Sequence, residues 1–329
     1  MTLSRRPLMA ALLGAAPLAV PALAQAPAAR DDTSRPITLV VAWPPGGGTD
    51  FVARLLAEQM ARELGQPVVV ENRAGASGTI GHAVVARARP DGSTILLGVN
   101  STYAMARHLF PGRGYDDERD FVPIGRLATI AAYLCVHRDS PIRSVTDLIA
   151  AAKAAPGQMT YASPGAGSSG HLAPELFFKM AGIQVETVTY RGGAPMVQAM
   201  LSKEVNMAFL DVVTALPYVR SGELRALGIG SRNRLDLTPD VPTVAEAGVP
   251  GFECNSDYAL LAPARTPDAA IRRLHAAAVA ALQAPAVRDR LTANGYVLEP
   301  GTPEEWPAYL RAEANKWGDV IRSRGITLE

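Results

Sequence analysis

Cysteine is nearly absent from this chain, with only Cys135 and Cys254 in 329 residues. Two thiols can form at most one disulfide, so a disulfide scaffold is excluded, and the five histidines do not gather with them into a metal cluster. Aromatic residues make up only 6% of the chain. Beyond Ala24 no apolar run is long enough to span a bilayer. Neither sign of charge predominates, with 32 Lys and Arg against 31 Asp and Glu, which argues against a nucleic-acid partner. What the chain does have is ordinary globular material: 48% apolar residues and 29 glycines, enough for one or two cores.

The first residues read as an address. "MTLSRRP" is a short basic start, "LMAALLGAAPLAVPALA" an apolar run broken by Pro17 and Pro21, and Ala22-Leu23-Ala24 a small-x-small site ahead of Gln25. A cleavable export signal over 1–24 is expected, with the mature chain starting at or near Gln25 and acting in the periplasm. Ser4-Arg5-Arg6-Pro7-Leu8-Met9 also resembles a twin-arginine signal, so the export route stays open. Losing Arg5 and Arg6 leaves 30 basic against 31 acidic side chains, a net of about −1.

Strand and helix periodicities then alternate. "ITLVVAW" reads as a buried strand, and Val52, Leu56, Met60 and Leu64 recur on one helical face after a glycine-rich turn. "PVVVEN", "TIGHAVVARAR" and "STILLGVN" continue as strand, helix and strand; "QMTYAS", "APELFFKMAG", "VETVTY", "MVQAML", "EVNMAFL" and "LRALGIG" carry on the exchange. That order is the signature of an α/β fold with parallel sheets and crossover helices.

Ligands of such sheets sit at the carboxyl ends of strands, where the next helix offers free backbone N–H groups. Two loops stand there, "WPPGGGTD" (Trp43 to Asp50) and "SPGAGSSGHL" (Ser163 to Leu172). Neither has the lysine of a Walker phosphate loop. Gly165, Gly167 and Gly170 match G-x-G-x-x-G, a weak signal taken alone. A nucleophile elbow fails, because Ser168 has Ala166 two residues before it and Ser169 has His171 two residues after it. An uncharged anion cradle remains, in which glycines let the backbone approach a carboxylate and serines add donors. Its alternative is an ordinary helix N-cap.

The stretch from Arg35 to Gly98, together with "AAPGQMTYASPGAGSSGHLAPELF", "VTYRGGAPMVQAML", "PYVRSGELRALGIGSRNRLDLTPDVPTVAEAGVPGFE" and "LLAPARTP", resembles the Bug family of extracytoplasmic solute receptors, the TctC-type binding proteins of tripartite tricarboxylate transporters. The likeness covers essentially the mature chain. It implies a Venus flytrap of the periplasmic binding protein kind: one α/β domain over 33–134 and 254–329, a second over 135–253, and two crossing hinge strands between them. It implies no enzyme activity and no cofactor. It also implies a monomer that captures a small carboxylate, an organic acid or amino acid, and delivers it to membrane subunits of the transporter. Carried over by position, the ligand-binding residues are Pro45, Gly46, Gly47, Gly48, Thr49 and Asp50 from one loop and Ser163, Ala166, Gly167, Ser168, Ser169 and His171 from the other, with Asn100 and Ser101 facing the same cleft.

Several residues carry two readings. Asp50 can touch ligand or serve the first helical turn; His171 can bind a carboxylate when protonated or tie its loop when neutral. Asp211 ends the strand "NMAFL", where it can meet a ligand ammonium or hold the next helix. Tyr190 follows another strand end, and Arg191 beside it can be a solvated rim charge. The chain departs from the family pattern at Ser256-Asp257-Tyr258-Ala259, which alters the cleft floor, and at Pro174, which lacks an N–H early in its helix and is expected to distort the first turn. Placing Cys135 after the first crossing and Cys254 in the second leads to the expectation of a disulfide between them. Two other classes stay open: a sensor docking on a membrane histidine kinase, and a secreted hydrolase with His171 as its base.

Overall fold

The computed structural model describes residues 35–165, 167–190 and 192–327. The expected signal over 1–24, Ala166 and Arg191 lie outside the described residues. Among those described, ten strands form: β1 (Ile37–Val41), β2 (Val68–Asn72), β3 (Thr94–Val99), β4 (Phe121–His137), β5 (Thr160–Ser163), β6 (Glu186–Thr189), β7 (Met207–Asp211), β8 (Leu224–Ile229), β9 (Asn255–Pro263) and β10 (Tyr296–Gly301). The ten α-helices are α1 (Gly48–Leu64), α2 (Thr79–Ala86), α3 (Ala106–Leu109), α4 (Val145–Ala154), α5 (Ser169–Ala181), α6 (Gly193–Leu201), α7 (Val212–Arg220), α8 (Asp268–Gln283), α9 (Pro285–Ala293) and α10 (Trp306–Arg324).

Helix α1 illustrates how the pattern folds. Val52, Leu56 and Met60 recur every fourth residue and are all fully buried, so one face of the helix covers β1 and its neighbours. It stops at Gly65, whose φ of 62° places the C-cap in the left-handed region while its amide satisfies the carbonyls of Ala61 and Arg62.

The strand order is β2-β1-β3-β9-β4-β7-β5-β6, with β10 and β8 also paired to β4. Parallel pairing is confined to the two flanks, β2-β1-β3 on one side and β7-β5-β6 on the other. Between them β9 and β4 run antiparallel to their neighbours, so the sheet is mixed where the alternation predicted a parallel one. The long strand β4 belongs to both halves: it pairs with β9 up to Ala131 and with β7 from Ala132 onward. The chain thus crosses between two lobes at that point. The C-terminal helix α10 packs on the β5-β7 half of the sheet. Its Trp317, Val320 and Ile321 share a core with Phe177, Phe209 and Phe252 of the second lobe, and Arg324 pairs with Glu175 at 2.9 Å.

The expected disulfide is not formed: Cys135 and Cys254 are both free and buried. Tertiary register explains it. The Cys254 amide bonds to Gly230, whose own amide bonds to Ala132, so Cys254 lies level with Ala132. Cys135 is three residues farther along β4, about 10 Å at the rise of a strand. The two thiols also face different cores, and burial pushes each up to about 12.

Pro174 does not interrupt α5, which continues on both sides of it as one helix. It stands at the sixth helical position, so its missing N–H removes one bond, to Gly170, without ending the helix.

Candidate functional site

The first loop leaves β1 at Val41 and enters α1 at Gly48, with Pro45, Gly46 and Gly47 exposed and Thr49 and Asp50 buried. Asp50 turns away from solvent. Its carboxylate accepts the Gly46 amide at 3.0 Å, the Arg54 guanidinium at 2.8 and 3.0 Å and the Asn72 amide at 3.0 Å. Burial alone would raise its pKa; these hydrogen bonds and the Arg54 charge outweigh burial and hold the carboxyl below its usual value. Asp50 therefore organises the loop. The first helical bond runs from Phe51 to Gly47, so among the described residues the amides of Gly47, Gly48, Thr49 and Asp50 meet no acceptor.

The second loop leaves β5 at Ser163 and enters α5 at Ser169, and neutral groups hold it. Ser168 is the N-cap: its hydroxyl accepts from the His171 amide at 3.2 Å and donates to the Gly165 carbonyl at 2.7 Å. His171 Nδ1 accepts the Gly167 amide at 3.1 Å, and Ser163 Oγ stands 3.4 Å from the Gly165 amide. Burial lowers the His171 pKa, against the nearby Glu175 carboxylate that raises it, and an accepting Nδ1 requires the unprotonated nitrogen. Ser163, Ser168 and His171 are thus spent on the loop. Ser169 is the exception. Its Oγ lies 2.9 Å from Ser256 Oγ on β9, and among the described residues the amides of Ser169 and Gly170 meet no acceptor.

The floor strand, where the chain departs from the family pattern, and Tyr296, which no sequence motif singles out, complete the surroundings. Along β9 side chains alternate, so Ser256 and Tyr258 share one face. Tyr258 packs on Tyr296 with ring centroids 5.8 Å apart, and Tyr296 donates to the Gly48 carbonyl at 3.1 Å. A Cβ at Gly48 would lie 2.9 Å from the Tyr296 hydroxyl, so a larger residue there would displace that hydroxyl from the Gly48 carbonyl. On the other face Asp257 accepts the Tyr309 hydroxyl at 2.6 Å. The alternation of "NSDYALLAP" carried the signal for Ser256 and Tyr258, whereas Tyr296 comes from a distant strand and had none.

Asn100 and Ser101 are buried at the end of β3, where Asn100 donates to the Asn255 carbonyl at 2.9 Å and braces the floor strand. Asn100 Oδ1 and Ser101 Oγ have no partner. Tyr190 is turned elsewhere: its hydroxyl donates to Glu204 at 2.8 Å, and it lines a groove of about 720 Å³ with Ala194, Gln198 and Tyr218. Asp211 ends β7 within reach of solvent, yet protein surrounds it closely enough to raise its carboxyl above the usual range. It bounds a hollow with Ser169, Gly170, Asn255 and Ser256 that encloses about 10 Å³, room for a single water, so a larger solute enters only as the lobes part. The lobes also meet where Gly167 approaches Leu109, Phe110 and Ser77. No group of His, Cys, Asp and Glu suited to a metal occurs among the described residues.

The family model described as "Tripartite tricarboxylate transporter family receptor" matches residues 52–326. Among curated proteins, Protein BugT of Bordetella pertussis is 36% identical over 297 residues, covering 90% of this chain and 91% of BugT. Among solved structures, Rpa4515 of R. palustris with adipate superposes with a TM-score of 0.82 at 34% identity, over 90% of this chain and 99% of that one. MatC of Rhodopseudomonas palustris with bound malate gives a TM-score of 0.78 at 33% identity, over 87% and 99%.

Proposed function

The chain belongs to the tripartite tricarboxylate transporter receptor family, a family of non-enzymatic periplasmic solute receptors, and from that premise we propose that it captures a small carboxylate between its two loops for delivery to the membrane subunits of such a transporter. The observation that carries this reading is the pair of helix starts, α1 and α5, each with backbone amides that meet no acceptor among the described residues. Such amides hold a carboxylate by directed hydrogen bonds and by the partial positive charge of the helix end, with no lysine or arginine to desolvate. Ser169 adds a hydroxyl, exchanging Ser256 for the ligand. The glycines of the first loop permit close approach, and Asp50 holds that loop in shape from behind.

The protein exists as an exported monomer, its signal removed near Gln25, that closes on its ligand. The adipate and malate of the two similar structures support the class of ligand. A thermal-shift screen of small organic acids and amino acids on the signal-free protein tests the reading: a true ligand at about 100 times its Kd adds about 2.7 kcal/mol of stability. A panel in which no free acid raises the melting temperature, or in which methyl esters raise it equally, sinks it.

A further inference from the structure

We propose that Asp211 forms a cation subsite in the cleft, so that the receptor prefers a carboxylate that also carries a positively charged nitrogen, an amino-acid zwitterion, over a dicarboxylate of the same length. The inference rests on the receptor reading above and deepens it.

Asp211 stands opposite Ala132 of β4, the residue at which that strand passes from one lobe to the other. It is thus fixed at the middle of the cleft floor. An aspartate at a helix N-cap ordinarily turns back to accept the first amides; here the Asp211 side chain makes no such bond to α7. It borders the same hollow as Ser169 and Ser256, and its charge reaches the phenols of Tyr258 and Tyr296. No Lys or Arg among the described residues contributes to its field. Asp50 and Asp257, the other acids near the loops and floor, both have partners.

A solute that places its carboxylate on the free amides has its other end available to Asp211. An ammonium there supplies the missing counter-charge and donates hydrogen bonds to the carboxylate. A second carboxylate meets a like charge in a hollow with room for no more than a single water. Discrimination by repulsion of the wrong ligand is an effective source of specificity.

The test is calorimetric titration of the signal-free protein and of Asp211→Asn with α-amino acids, ω-amino acids and dicarboxylates of matched chain length. Wild type is expected to bind its best zwitterion at least about tenfold more tightly than the matched dicarboxylate, and Asp211→Asn to lose or reverse that ratio. Because the side chain has no partner among the described residues and burial disfavours its charge, the free variant should melt at or above the wild-type temperature, and Asp211→Ser should behave as Asp211→Asn does. Equal binding of the matched pair by wild type, or an unchanged ratio in both variants, overturns the subsite while leaving the receptor reading intact. Failure of every acid to bind overturns both.

Discussion

The two loops end in the same device, a helix start with free amides, but reach it by different chemistry. Around α1 a charge does the holding, with Asp50 gathering Gly46, Arg54 and Asn72 onto one carboxylate behind the loop. Around α5 neutral groups do it, with Ser168 as cap and His171 Nδ1 as acceptor. The difference teaches that local charge and the charge offered to a ligand are separate matters. Each loop consumes most of its own polar side chains, Ser169 excepted, and leaves backbone for the solute.

The comparison breaks most readily at the glycines. Gly167, at φ +77°, would place a Cβ 3.3 Å from Leu109 of the other lobe, so Gly167→Val combines left-handed strain with obstructed closure. Gly48→Val puts its Cβ against the Tyr296 hydroxyl. Each should cost roughly 1–3 kcal/mol and weaken carboxylate binding by about tenfold or more. Gly47→Val is the contrast: its φ of −86° suits valine, and only Pro44 O, at 3.8 Å, is near. Titration of the three should find Gly47→Val close to wild type; a loss as large as that of Gly48→Val would show that approach is restricted along the whole loop.

Removing the charge behind the first loop comes next. Asp50→Ala strands three donors and should lower stability by about 2 kcal/mol in denaturant unfolding, a figure reduced because Arg54 is largely exposed. A variant as stable as wild type would mean that Asp50 is not what holds the loop.

The adjacent serines should separate by readout. Ser168→Ala removes a cap and should cost about 1 kcal/mol of stability. Ser169→Ala should leave unfolding nearly unchanged and weaken binding by roughly fivefold, the worth of one hydrogen bond. Exchange of these two phenotypes would reverse the roles assigned to them.

Acid should loosen the loops in sequence, with the smallest effect. His171 has a lowered folded pKa, so its contribution is complete above the unfolded value near 6.5 and is lost as pH falls through the folded one. Asp50, also lowered, contributes above the unfolded value near 3.8 and is lost only below that. Affinity measured from pH 7 to pH 5 should decline in wild type and less in His171→Asn, whose side-chain oxygen can still accept the Gly167 amide. Parallel profiles would remove His171 from the loop's pH response.

The strands of the two flanks, the helices that follow several of them, the two candidate loops and the family were legible in the amino-acid order, because apolar periodicity and turn chemistry act over a few residues, whereas the central strands β4 and β10 were not read from it. The same local logic offered two roles for Asp50 and His171, and the fold settled which groups they meet. Contacts between distant residues were decided only by register and packing. Ser169 meets Ser256 because β9 returns beside β4, 87 residues later in the chain. Tyr296 closes over Gly48 from a strand near the end. Cys135 and Cys254, both assigned to the crossings, remain apart because antiparallel pairing offsets them by three residues and turns them to opposite cores. Such offsets depend on how whole strands align, and no short window of sequence contains that information.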